Sequence, residues 1–77
     1  MLADIITISP HVQSGAPVFA GTRVPVKNLF DYLKGGDNID TFVEDFPSVS
    51  KDQVLALLSL MENFLALRTE DYEKSAA

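Results

Sequence analysis

Apolar residues recur at helical spacing in three separate stretches of this chain. A fourth, shorter stretch near the start is β-branched, and glycine and proline mark the boundaries between them. These observations argue for a mainly α fold, a three-helix bundle of helix-turn-helix type with a short N-terminal β segment. The length, 77 residues, bounds the chain to a single domain, 1–77.

Residues 4–25 read as one or two short strands with tight turns. Ile5, Ile6, Thr7 and Ile8 form a β-branched run that stops at Pro10. Gln13-Ser14-Gly15-Ala16-Pro17 is turn chemistry, because glycine reaches positive φ and proline fixes its own φ. Val18 and Phe19 make a second apolar stretch, ended by Gly21 and followed by Arg23-Val24-Pro25-Val26.

The first helix is expected over 26–35. Pro25 suits its N-terminus, where a missing N–H costs nothing. Val26, Leu29, Phe30 and Leu33 make one apolar face, and Gly35-Gly36 supplies a C-terminal stop. The second helix is expected over 38–46, capped by Asp37 or Asn38. Its face is Ile39, Phe42, Val43 and Phe46, and Pro47 ends it. The third, over 50–69, opens on Ser50-Lys51-Asp52-Gln53. In this capping box the serine hydroxyl takes the N3 amide while the glutamine reaches back. Residues 73–77 read as a fraying tail. The Pro47-Ser48-Val49 link has the length of a helix-turn-helix connection, although an arbitrary three-helix bundle fits the same spacing.

The third helix is apolar over most of its circumference. Val54, Leu57, Leu58, Met61, Leu65 and Arg68 lie along one broad stripe that Leu55, Leu60, Phe64 and Leu67 widen. Such a helix is buried on several sides, and a chain of this size hardly surrounds it. A homodimer is therefore expected, joined through the β segment, the third helix or both.

Composition narrows the function classes. The net charge of −5, from eleven acidic and six basic residues, opposes tight binding to phosphate by the free chain. There is no cysteine, which removes disulfides and thiolate metal sites and fits a reducing cytoplasm. No secretory leader is read at Met1–Pro10, and the apolar stretch Val54–Met61 is far short of the roughly 20 residues a membrane span requires.

Catalytic chemistry is not expected. His11 is the one histidine, beside Pro10 in a turn, and a solvated role outweighs a metal site there, so neither metal nor cofactor is assigned. Asp37 and Asp40 read as cap and dipole partners of a helix N-terminus; Glu44, Asp45, Glu70, Asp71 and Glu73 read as solvated. Gly21-Thr22-Arg23 lacks the lysine and the glycine spacing of a P-loop.

The basic residues are Arg23, Lys27, Lys34, Lys51, Arg68 and Lys74. Arg23, Lys27 and Lys34 can share one side of the first helix, and Lys51 and Gln53 stand where a recognition helix would meet DNA. Those five residues are the candidate DNA contacts. Only Gln53 and Asn63 offer amides to base edges, so DNA binding by the free chain is expected to be weak.

The string Gly15-Ala16-Pro17-Val18-Phe19-Ala20-Gly21-Thr22-Arg23-Val24-Pro25-Val26 is the most distinctive feature. It resembles the pattern G-x-P-x-x-x-G-T-R-[IV]-P-V of the domain of unknown function 433, a widespread bacterial and archaeal family, at every fixed position. Phe46-Pro47, Gln53 and Ala56-Leu57 continue the likeness, which runs from about Ile5 to Asp71. The resemblance implies a homeodomain-like trihelical fold with an N-terminal β segment. It also implies the antitoxin role in a toxin–antitoxin pair, often beside a PIN-like nuclease. The chain departs from the family at Ser59-Leu60-Met61, where an aromatic, often Tyr-Tyr, is usual.

Within the string, Gly15, Pro17, Gly21, Thr22 and Pro25 are turn-forming positions. Arg23 can take a phosphate or carboxylate bidentately, or make an internal pair with Asp31 or Glu70. The internal pair is preferred, since the surrounding residues are structural. The resulting expectation is a non-enzymatic antitoxin or regulatory domain that binds a partner protein, with operator DNA left open. The alternative is a structural interaction module with no nucleic-acid role.

Overall fold

A computed structural model describes the backbone of residues 2–76 and the side chains of residues 4–66. The order of elements is α1 (Leu2–Ile5), β1 (Ile6–Thr7), β2 (Val18–Phe19), α2 (Val26–Lys34), α3 (Ile39–Asp45) and α4 (Lys51–Ala76). The strands pair antiparallel with Ile6 opposite Phe19 and Thr7 opposite Val18. The architecture is a small helical bundle with a two-stranded N-terminal segment, as the spacing argued.

The link between the strands is a left-handed turn. Gln13, Ser14 and Gly15 all have positive φ, at 48°, 54° and 87°. For the two non-glycine residues this conformation is costly. The Gln13 side chain anchors the turn by donating to the Arg23 carbonyl at 3.3 Å.

Each long helix begins and ends for a local reason. After Lys34, the Asp37 amide bonds Tyr32 O at 2.9 Å and the Gly36 amide bonds Leu33 O at 3.2 Å. This is a Schellman closure, with Gly36 at φ 93° in the left-handed position. Asn38 caps α3 by accepting from the Thr41 amide at 2.8 Å. The capping box of α4 forms as read: Ser50 Oγ accepts from the Gln53 amide at 3.0 Å, and Gln53 Oε1 accepts from the Ser50 amide at 3.2 Å.

Two boundaries depart from the sequence reading. Strand pairing covers less of residues 4–8 than expected, because Leu2–Ile5 forms a helical turn and leaves a two-residue strand. Ile5 still joins the β segment, accepting from the Ala20 amide at 2.9 Å. At the other end, α4 does not stop at residue 69. It runs to Ala76 through most of the expected tail, since no glycine or proline interrupts the sequence after Pro47. Ala77 lies outside the described residues.

The core is where β2 and the three longer helices meet. Phe19, Leu29, Phe42, Val49, Val54 and Leu57 are buried together. Phe42 is its hub: the rings of Phe19, Tyr32 and Phe46 lie 5.9, 5.3 and 5.0 Å from it, in tilted or edge-on geometry. Phe30, placed on the core face of the first helix by its spacing, is half-buried outside this cluster, and Tyr32 with Leu33 packs against it instead.

Tyr32 also ties α2 to α3, its hydroxyl donating to Asp45 Oδ2 at 2.6 Å. This hydrogen bond, followed by desolvation and by the negative charges of Asp45 and Asp37, holds the phenol above its ordinary 10.0.

Two outcomes are expected. Phe42→Ala removes the hub and costs about 3–5 kcal/mol, a large part of the ~5–15 kcal/mol typical of a domain. Urea denaturation followed by circular dichroism measures it. Because the folded pKa of Tyr32 is raised, its contribution is complete below pH 10.0 and is lost as pH rises through the folded value. Tyr32→Phe should therefore flatten the alkaline limb of the stability–pH curve, while leaving its acidic limb unchanged.

Candidate interaction surface

The string from Gly15 to Val26 folds into a loop held by a set of short-range hydrogen bonds. The Phe19 amide bonds Val24 O at 3.0 Å, the Thr22 amide bonds Phe19 O at 3.0 Å, and the Val26 amide bonds Pro17 O at 2.9 Å. The Thr22 hydroxyl donates to Phe19 O at 2.8 Å and accepts from the Val24 amide at 3.0 Å. Gly21 at φ 77° makes the reversal possible. Gln53 Nε2 then donates to the Ala20 carbonyl at 2.9 Å, which fixes the start of α4 on this loop.

That bond changes the meaning of Gln53. The sequence places it as a cap and as a reader of base edges. In the fold its oxygen closes the capping box while its amide holds the loop, so both ends of the side chain are engaged inside the domain. No local motif announced this contact across 33 positions.

The structure also separates the candidate cations. Lys27 pairs with Asp31 at 2.7 Å along α2, and Lys51 pairs with Asp40 at 2.9 Å between α4 and α3. Both pairs are largely exposed, so they contribute little to stability, but they neutralise two of the proposed phosphate contacts. Lys34 and Arg23 are exposed and form no ion pair among the described residues.

Arg23 does not make the expected internal pair with Asp31, whose carboxylate is taken by Lys27 one helical turn away. The other expected partner, Glu70, lies outside the described side chains. His11 is exposed, its backbone amide bonding Ser9 Oγ at 3.3 Å. Among the described residues no carboxylate is buried, and no group of histidine and carboxylates is placed to hold a metal.

The largest anomaly lies on α4. Among the described residues of this helix, only Val54 and Leu57 are buried. Leu60, Met61, Phe64 and Leu65 are 38%, 39%, 55% and 60% exposed and border an open-sided cleft of about 480 Å³. One chain does not surround this helix, as its size argued: among the described residues the body buries only the first turns. The described residues that border the cleft are all apolar, so this part of its wall suits apolar side chains.

Substitutions separate scaffold from surface. Gly21→Ala meets no atom within 4 Å but forces a Cβ into a left-handed conformation, which costs about 1–2 kcal/mol. Arg23→Ala, at an exposed position, should stay within about 0.5 kcal/mol of the parent. Thermal melts of the two variants are expected to differ in that order, and a large loss for Arg23→Ala would restore an internal role.

Comparison with known proteins places the chain. It is 33% identical over 51 residues to the "Uncharacterized protein y4eO" of Sinorhizobium fredii (strain NBRC 101917 / NGR234), across 66% of this chain and 23% of that protein. The chain thus matches less than a quarter of that relative's length. No solved structure matches it. The family model described as "Protein of unknown function (DUF433)" matches residues 6–60, which takes in β1, the loop, α2, α3 and the first part of α4, and the chain belongs to that family.

Proposed function

We propose that this chain is a non-enzymatic interaction domain of antitoxin or regulatory type, acting in the cytoplasm and assembled through the exposed apolar half of α4. The observation that carries the reading is the run Leu60, Met61, Phe64 and Leu65, exposed together on a helix that its own body covers only at the start. An apolar surface of this kind buries itself against protein. The partners are a second copy and a toxin protein, of the PIN-like nuclease class that the family resemblance implies. The acidic net charge of −5 suits a basic partner.

Operator DNA is the secondary ligand of this reading. The order α3, short link, α4 is that of a helix-turn-helix, and Lys51 opens its second helix. The local chemistry favours the alternative, an interaction module without a nucleic-acid role: Lys27 and Lys51 are paired with aspartates, and Gln53 is engaged at both ends.

An electrophoretic shift on the gene's own upstream region, with and without the product of the adjacent gene, tests both parts. The expected result is a stable complex with the neighbouring product, with free-protein DNA binding that is weak and has a shallow salt slope. Nanomolar binding by the free protein would overturn the weak-DNA assignment. No complex with the neighbour and no shift in either case would remove the antitoxin reading and leave the interaction module.

A further inference from the structure

Arg23 is what remains when the loop between β2 and α2 has been accounted for. Gly21 allows the reversal, Thr22 clamps it, Pro25 leads into α2, and the Ala20 carbonyl receives Gln53. The Arg23 side chain takes part in none of this. It is exposed, and among the described residues its guanidinium has no hydrogen-bond or ion-pair partner. Acids are not scarce, since the chain holds eleven against six cations. Asp31 is held by Lys27, Asp40 by Lys51 and Asp45 by the Tyr32 hydroxyl.

The backbone beneath this side chain is fixed on both sides. Thr22 Oγ1 accepts from the Val24 amide at 3.0 Å, and the Val24 carbonyl accepts from the Phe19 amide at 3.0 Å. Gln13 Nε2 reaches the Arg23 carbonyl at 3.3 Å from the turn between the strands. That turn keeps Gln13 and Ser14 left-handed, at φ 48° and 54°, a conformation costly to residues other than glycine. Backbone freedom is therefore removed at Arg23 before any ligand arrives, and a preorganised group loses less entropy on binding. Lys34 supplies the contrast. It is exposed and without an ion pair among the described residues, but it is the last residue of α2, next to Gly35-Gly36.

A guanidinium presents a planar fork of donors that matches one carboxylate or one phosphate bidentately. Charge decides between the two. Affinity for nucleic acid grows with the number of phosphates neutralised. Lys27 and Lys51 are already paired, and the net charge is −5, so a polyanion would gain one contact against a repelling field. A single carboxylate on a protein surface asks for one fork only. We propose that Arg23 is the residue that takes an aspartate or glutamate side chain of a partner protein. On a partner of basic surface, that carboxylate sits among cations that face the acids of this chain, and the reversal of sign at Arg23 fixes the register of the complex. This rests on the reading of the chain as an interaction domain.

Calorimetric titration with the product of the adjacent gene compares the parent with Arg23→Ala, Arg23→Lys and Lys34→Ala, alongside thermal melts. Arg23→Ala should lose about tenfold or more in affinity with an unchanged melt. Arg23→Lys should recover little of it, because an ammonium is a point charge and not a fork. Lys34→Ala should stay within about twofold of the parent. Full affinity in Arg23→Ala, or equal losses at Arg23 and Lys34, would overturn the proposal. If the parent and the neighbour form no complex, the antitoxin reading falls, and a tetraglutamate peptide decides the case of Arg23 by itself. The Arg23 Nε–H resonance, followed by nuclear magnetic resonance, should then move on titration with the peptide and less with an oligonucleotide of equal charge. A resonance unmoved by the peptide, or moved as far by the oligonucleotide, would overturn the carboxylate assignment.

Discussion

A body this small cannot cover the helix it carries. The side chains of β2, α2 and α3 converge on Phe42 and use their apolar faces on one another. Among the described residues of α4, what is left buries Val54 and Leu57 and partly covers Leu58. The helix continues regardless, because nothing in its sequence stops it. An apolar stripe then emerges from the core, and the assembly proposed for it would draw on the same hydrophobic term that folds the body.

The Gly15–Val26 string has a structural explanation that does not require it to touch a ligand. Thr22 clamps a reversal that Gly21 permits, Pro25 delivers the chain into α2, and Gln53 reaches from α4 to the Ala20 carbonyl. The loop is the bracket that sets where α4 leaves the body, and therefore where its exposed face points. Arg23 is the exception within it, an exposed cation on an otherwise satisfied loop. A guanidinium held this way is suited to a carboxylate or phosphate on a partner.

Much of the fold was legible from residue types. The caps at Asn38 and Ser50, the glycine closure after Lys34 and the buried positions Leu29, Phe42, Val54 and Leu57 all follow from local pattern, because capping and helical periodicity are short-range. The misses were of longer range. Tyr32 carries no local signal of its role, although it lies three residues after Leu29; its value depends on Asp45, which only the packing of α2 on α3 brings near. Gln53 looked available for a groove until its distant carbonyl partner was in place. Of the two carboxylates in view for Arg23, Asp31 is held by Lys27, the better-placed cation one turn away, and Glu70 lies outside the described side chains. Candidate sites fail in this way when their meaning depends on which competitor wins a partner.

The central claim is that the second half of α4 is a surface made to be covered. Hydrogen–deuterium exchange measured across a range of protein concentrations tests it most directly, since self-association shields amides only where the helix is buried by the second copy. Protection of residues 60–66 should rise with concentration, while that of residues 38–46 stays constant. Exchange at 60–66 that does not change up to millimolar protein, and does not change when the neighbouring gene product is added, would contradict it.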